Sequence, residues 1–415
     1  MNEREKDFEK DMLSRALHDR SRQAEGLGVG LDDVLRTAKG IRRRRRIVSG
    51  AAGLAVLAVV VPLGIQVAGV GDAAAPTVSS SGPSTGTTPS AVDSASASPS
   101  PTGPAVKTVT IDLSSLTQGA APGISYLEGR TVHSPDQTLP APDGEYAGFT
   151  VYHGGYLVAS DKNGVTTVQW LDNTMTPSGA PRTGSQSFAV SDSGQTAYFV
   201  TPGAGKPGEL RLGIGSGMGD LEQVQHTPAG ALVTPIGFVG GSAVVYQQDQ
   251  DIYVTDLGSS APRKLTGLLR VGGTNQATGV LVAQVQSLDT GSCWGLFRAS
   301  DDHQLWRECD YSLGRISNDG THLIGTPAYL DGATYGSLTL LDTKDHHPLV
   351  TFDGSAQGFG FYDSVWQDDS HVLAIATDGS HVRIVRLGLD GSVEAATAPV
   401  ADGDFVSPLT FAATP

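Results

Sequence analysis

The chain has 415 residues, 53 of them glycine, and a formal net charge of −15. Residues 1–46 hold 13 Lys/Arg against 9 Asp/Glu, about +4, whereas residues 47–415 hold 15 against 34, about −19. The acidic bulk of residues 47–415 argues against a nucleic-acid-binding surface and against adhesion to anionic lipid, and the length admits two to three units or one large all-β domain with smaller segments before it.

Residues 3–24 read as an amphipathic helix. Phe8, Met12 and Ala16 fall at i, i+4 and i+8, with Leu13 and Leu17 beside them, and the opposite-sign pairs Asp11–Arg15 and Arg15–Asp19 lie on the other face. Gly26, Gly28 and Gly30 end it, and a second short helix is expected from Asp32 to Lys39. Two short helices bury little surface alone, so the stripe Phe8, Met12, Leu13, Leu17 is expected to dock on a cytoplasmic partner. A solvated tail and a helix lying on the inner leaflet are the competing uses.

Five arginines, Arg42, Arg43, Arg44, Arg45 and Arg46, precede an uncharged run from Ile47 to Val70. At ~1.5 Å per residue such a helix spans about 36 Å, enough for a ~30 Å hydrocarbon core with some tilt. Arginines beside a span stay on the cytoplasmic side, which puts residues 1–46 inside and everything after Val70 outside. Ala73-Ala74-Ala75 offers a cleavage site, but the 46 residues before the run and its length favour a retained anchor. No cysteine follows the run directly, which excludes a lipoprotein. Residues 71–105 are nearly all Ala, Ser, Thr, Pro and Gly; such a stretch cannot offset chain entropy by burial and is expected to be a disordered stalk.

From residue 106 to 415 short apolar runs alternate with Asp-Gly, Asn-Gly, Gly-Gly and Ser-Asp turns. Strands are expected in groups: Gly148–Tyr152, Tyr156–Ser160 and Val165–Leu171; Phe188–Val190, Ala197–Thr201 and Glu209–Leu212; Ile236–Val239, Ala243–Gln247 and Asp251–Asp256. Further groups are Gly279–Cys309; Gly314–Ser317, His322–Gly325 and Leu338–Asp342; and Ser364–Gln367, Val372–Thr377 and Val382–Leu387. A loose signature recurs as Val190-Ser191-Asp192-Ser193-Gly194 and Ile316-Ser317-Asn318-Asp319-Gly320, with a looser copy at Val365-Trp366-Gln367-Asp368-Asp369. These turns resemble the degenerate blade motif of TolB-like and WD-repeat β-propellers, which implies an all-β propeller. The hairpin Tyr126–His133 and the segment Phe405–Phe411 are expected to share one closing blade, giving seven blades, with six as the alternative.

The order of segments, with Leu13-x-x-x-Leu17-His18-x-Arg20, Asp32-Asp33-Val34-Leu35 and the arginine block, resembles a class of actinobacterial single-pass membrane proteins. Abundant Ala, Gly, Val and Asp with scarce Lys agrees with such a source. The resemblance implies a regulatory tail and a cytoplasmic partner such as an extracytoplasmic-function sigma factor. The His-x-x-x-Cys-x-x-Cys pattern of zinc-containing anti-sigma domains is missing, because no cysteine precedes position 293.

The two cysteines, Cys293 and Cys309, fall in one expected hairpin. With the turn centred on Asp301, Cys293 faces Cys309, Leu296 faces Trp306 and Phe297 faces Leu305, and a facing antiparallel pair lies within disulfide reach. Outside the membrane such a bond persists. His346-His347, the alternating Asp249 and Asp251, and Gly213–Gly217 lack the further ligands or context of metal, calcium or phosphate sites and read as loops. Ser191–Gly194 has the wrong register for a sialidase Asp box, and no Gly-x-Ser-x-Gly elbow occurs in the outer domain. Trp170, Trp294, Trp306 and Trp366 read as blade core. No catalytic residue, metal or cofactor is expected. The expected function is a non-enzymatic, membrane-anchored propeller that binds an extracytoplasmic protein or glycan. An extracytoplasmic propeller hydrolase or lyase, and a structural envelope protein, are the alternatives.

Overall fold

A computed structural model describes residues 106–415 except 202–204, 214–221, 257–260, 330–333 and 403–406. The expected tail helix with Phe8, Met12, Leu13 and Leu17, the arginine block, the membrane span and the stalk lie outside the described residues.

The described residues form strands with two short 3-10 turns, and hydrogen bonding joins the strands into six sheets. Sheet one orders Leu409–Phe411, Tyr126–Glu128, Thr131–Ser134 and Gln137–Pro140. Its register, Tyr126↔Phe411 and Tyr126↔His133, joins the two ends of the domain as expected. Sheet two holds two meanders: Tyr146–Tyr152, Gly155–Lys162, Val165–Leu171 and Pro177–Gly184, then Ala189–Val190, Thr196–Thr201, Pro207–Gly213 and Glu222–Ala229. Sheet three runs Val233–Val239, Ala243–Gln248, Asp251–Asp256 and Arg263–Leu265, and sheet four Arg270–Asn275, Val280–Leu288, Gly291–Arg298 and His303–Glu308. Sheet five runs Tyr311–Ile316, His322–Pro327, Ser337–Asp342 and Pro348–Asp353, and sheet six Gly360–Asp368, His371–Thr377, His381–Gly388 and Val393–Ala395, with Val400–Ala401 added to its third strand.

The first strands of sheets three to six neighbour one another in turn, Val233–Val239 neighbours Ala189–Val190 and Thr196–Thr201 of sheet two, and Leu409–Phe411 lies between sheets six and two, so the ring closes as a β-propeller. The expectation of seven separate blades, or six, is corrected. Five sheets stand as separate blades, and the eight-stranded sheet runs two meanders together. Pro177–Gly184 pairs with Val165–Leu171 on one side and with Thr196–Thr201 on the other, through Val200↔Gly184 and Thr201↔Thr183. Gly184 permits this crossing, because a Cβ there would lie 2.3 Å from the Phe199 carbonyl oxygen.

Alternation places one face of each strand against a neighbouring sheet. Ile324, Leu338, Phe352, Phe361, Trp366 and Val372 fill the junction of sheets five and six, and Val239, Ile252, Leu268, Val271, Leu281 and Phe297 that of sheets three and four. Leu157, Val168, Phe188, Tyr198 and Val200 form a core between the two meanders of sheet two. Trp294 and Trp366 are buried, as expected of core tryptophans.

Lys107–Thr110 adds in parallel to the outer strand of sheet five, Lys107↔Val350 through Thr110↔Asp353. The chain then crosses to the outer edge of sheet six, where Gly119 N–H donates to Ala395 O (2.8 Å). Arg386, 8% exposed, pins this strap by donating to Ala121 O (2.9 Å) and Gln367 Oε1 (3.1 Å) while pairing with Glu394. The terminal nitrogens of the buried guanidinium are thus paired and hydrogen-bonded, which offsets part of its desolvation, while Nε is buried without a partner.

Candidate functional site

Each meander has two ends. One carries the turns between its first and second and its third and fourth strands. The other carries the second-to-third turn and the connection to the next sheet.

At the first end the recurring Ser motif forms a side-chain-bridged turn. Ser191 Oγ accepts from Gln195 N–H and Ser317 Oγ from His322 N–H, both at 2.9 Å. The turns close by Gly194 N–H→Ser191 O (2.8 Å) and Gly320 N–H→Ser317 O (2.9 Å), with φ of +79° and +77° at the glycines. Only glycine takes those angles without strain, which is why the motif ends in Gly. The looser copy departs from this pattern: Asp368 Oδ1 accepts from the N–H and O–H of Ser370, both at 2.8 Å, without a glycine.

These turns are tied to one another across sheets. Gln276 Oε1 accepts from Asp192 N–H (2.8 Å), and its amide nitrogen donates to Gly241 O. Asn275 Nδ2 donates to Ser317 O (2.8 Å) and Asn318 O (3.0 Å), and Asp369 Oδ1 accepts from Asp319 N–H (3.0 Å). Sequence reasoning missed this latch; the signal available was two amide side chains, Asn275-Gln276, side by side in a turn. Burial alone would raise the Asp319 and Asp368 carboxyls. Donors from Ser317 and Thr321 in one case, and from Ser370 and His371 in the other, outweigh it and bring Asp368 down to about 2.

The second end is less tied and carries exposed apolar side chains. Leu232 (61% exposed), Leu269 (50%), Leu288 (45%) and Tyr329 (57%) all lie there, on the adjacent sheets three, four and five. Leu232 is held by Asp249, whose N–H donates to Leu232 O (2.8 Å) while its carboxylate accepts from Leu232 N–H (3.1 Å). Ala328, next to Tyr329, accepts from Ser292 Oγ (3.2 Å) of sheet four, bringing the Leu288 and Tyr329 turns together. Lys107–Thr110 runs parallel to Pro348–Asp353, so Lys107 lies toward the first end, beside the Asp390 turn. Lys107 therefore lies opposite the apolar rim.

At the hub, Asp363 sits on the first strand of sheet six. Crowding by protein raises its carboxyl pKa, and the Arg315 guanidinium and the Ser364 N–H (2.8 Å) offset part of that shift. Tyr335 pairs its backbone with Phe361 and donates its hydroxyl to Ser364 Oγ (3.2 Å); burial and the nearby Asp363 charge raise its pKa. Asp363 is itself solvent-exposed, which weakens the upward shift of its own carboxyl. Arg270, at the start of sheet four, stacks on Trp294 at 5.2 Å, and burial lowers its pKa.

Cys293 and Cys309 are bonded, with Cα atoms 4.1 Å apart. The expected register holds from Trp294↔Glu308 to Leu296↔Trp306. It then shifts: Phe297 faces Gln304, not Leu305, because a bulge leaves Leu305 unpaired and 43% exposed. His346 meets Glu308 (2.9 Å) and the Trp306 ring (5.1 Å), and Asp249, at φ +55°, and Asp251 border the second-to-third turn of sheet three. Among the described residues no group of three or more His, Cys, Asp or Glu could hold a metal ion.

No protein-family model matches the chain, and no curated protein matches it. Solved structures similar to it are propellers. The Dos1 propeller aligns at 11% identity and TM-score 0.46, over 71% of this chain and 87% of Dos1. Kluyveromyces lactis Hsv2 aligns at 11% and 0.42, over 68% and 92%. YCF48 bound to D1 peptide aligns at 13% and 0.42, over 68% and 88%. At these values the likenesses carry no functional argument, and the propeller assignment stands on the sheet topology above.

Proposed function

We propose that the protein is a non-enzymatic, single-pass membrane protein whose propeller, held outside the cytoplasm, binds an extracytoplasmic partner through the apolar rim. Its tail passes the bound state to a cytoplasmic regulator such as a sigma factor. The observation that carries the binding reading is the placement of Leu232, Leu269, Leu288 and Tyr329 at one end of three adjacent sheets, opposite Lys107. Exposed apolar side chains gathered on one face mark an interaction surface more than the same residues scattered singly. The arginine block and the apolar run support the anchor, and the Phe8–Leu17 stripe supports the inward partner.

The test places a photo-crosslinking residue at Leu288, at Tyr329 and, as a control, at Leu305 in the full-length protein in cells. Specific adducts at Leu288 and Tyr329 but not at Leu305 support the rim. The same adducts at all three positions, or none at the rim, refute it. A reporter fused after Pro415 should be active only outside the cytoplasm; activity inside would reverse the topology. Leu13→Asp with Leu17→Asp should abolish copurification of the cytoplasmic partner while leaving membrane insertion intact.

A further inference from the structure

Arg270 is a cation without a counter-charge. It opens the first strand of sheet four, one residue after the exposed Leu269, at the end of the ring that carries the apolar rim. Its guanidinium lies 5.2 Å from the centre of the Trp294 ring. That ring is buried and fixed in place, because its Nε1 donates to Ser292 Oγ (2.8 Å). Arg270 itself is half-buried. Among the described residues it makes no ion pair and no side-chain hydrogen bond, and its Nε is buried without a partner. Desolvation alone moves its pKa, with no carboxylate close enough to act on it. Other arginines of the domain differ: Arg130, Arg263, Arg298 and Arg386 each pair with a carboxylate.

A half-buried cation with no counter-charge has lost part of its hydration and gained little in exchange, and stacking on an aromatic face returns only some of it. The planar fork of guanidinium donors matches a carboxylate, so a carboxylate arriving from outside would supply the missing partner. The surroundings narrow what carries it. Leu269 stands beside Arg270, Leu232 takes the equivalent place before the first strand of sheet three, and Leu288 lies further out on sheet four; all three are exposed. The first strands of sheets three and four are neighbours, so apolar side chains stand on more than one side of the guanidinium. An acidic residue inside a peptide chain, with apolar residues before and after it, covers both the charge and the leucines. A saccharide unit or a free anion would leave the leucines in water.

We propose that Arg270 is the charged centre of the rim and binds an Asp or Glu side chain of the partner, set between apolar residues of the same peptide segment. This rests on the rim reading and adds the chemistry of its occupant. The test pans a phage-displayed random heptapeptide library on the full-length protein in nanodiscs and measures the selected peptides by fluorescence anisotropy. Peptides enriched over empty nanodiscs should carry Asp or Glu between Leu, Ile, Val or Phe. Replacing that acid by its amide should weaken binding about tenfold, through loss of a charge-assisted pair. Arg270→Met should weaken the acidic peptide by the same factor and leave its amide form unchanged, and Arg270→Lys, which keeps the charge without the fork, should fall between. Because no carboxylate of the chain depends on Arg270, the Met variant should unfold at or above the parent's temperature. A lower unfolding temperature would make the residue structural and overturn the proposal. Selected peptides without an acid, or an acid-to-amide effect that persists in Arg270→Met, would overturn it too. Leu269→Ser and Leu288→Ser keep the two readings apart: peptides weakened by both leave the rim standing whatever Arg270 does, and peptides indifferent to both sink the rim reading.

Discussion

Closure of the ring rests on a short strand, which makes Phe411→Ala a sharp test of the fold. Leu409–Phe411 pairs with Tyr126–Glu128 over three residues. The Phe411 ring, 5% exposed, packs in a cluster with Tyr126, Val365, Leu373, Ile375, Val382 and Ile384 at the junction of sheets six and one. Truncating a buried phenylalanine costs about 3–5 kcal/mol in lost transfer energy and residual cavity. At roughly 2 °C per kcal/mol for a large domain, the unfolding temperature should fall by about 6–10 °C. Tryptophan fluorescence on heating reads the shift, with Leu305→Ala as the control, because that 43% exposed side chain should move stability by no more than about 0.5 kcal/mol. Limited proteolysis should cut the variant first near the closing strand, where pairing is shortest. Equal losses for Phe411→Ala and Leu305→Ala would refute the idea that this strand closes the ring.

The Cys293–Cys309 bond closes a loop with a sequence separation of 16, for which chain entropy gives about 3 kcal/mol as a ceiling. Reductant should therefore lower the urea midpoint of the parent and leave a Cys293→Ala, Cys309→Ala double variant unchanged; a parent insensitive to reductant would contradict this. Asp368 has a folded pKa of about 2, below its ordinary value of 3.8, so its contribution to stability is present above about pH 4 and lost as pH falls toward 2. Asp368→Asn should flatten the stability profile in that window; an unchanged acid limb would show that the Ser370 and His371 contacts do not hold the carboxylate.

Much of the fold was legible because strands announce themselves by short apolar runs between turn formers. The closing pair Tyr126–Glu128 with Leu409–Phe411 was readable because apolar segments at both ends of a propeller have no other edge to cover. The blade count was not readable. Whether Pro177–Gly184 ends one meander or reaches into the next depends on two backbone pairs and on the Cβ missing from Gly184, and the exposed pattern Pro177-Ser178-Gly179-Ala180 carries no apolar periodicity to reveal it. The Cys293 hairpin shows the same limit at smaller scale. A symmetric turn gave the pairing up to Leu296↔Trp306, and one bulged residue, Leu305, broke it beyond.

The two ends of the ring differ in what their polar groups are already doing, and this difference favours the proposed rim. At the latched end Asp192, Asn275, Gln276, Asp319 and Asp369 spend their hydrogen-bonding groups on neighbouring turns, so a partner there would have to break contacts that hold the sheets together. Asn275, 4% exposed, is the buried member of the latch, and leaving its amide without a partner would cost about 1–3 kcal/mol. At the other end Leu288 pairs with Gly291, Ala328 O beside Tyr329 accepts from Ser292 Oγ, and the Leu288 and Tyr329 side chains stand exposed. Covering them removes apolar surface from water without breaking any latch. A propeller whose ring is stabilised through one face can therefore evolve its other face for recognition with little cost to the fold. Substitutions at Leu288 and Tyr329 should accordingly change partner binding while leaving the unfolding temperature within about 1 °C of the parent.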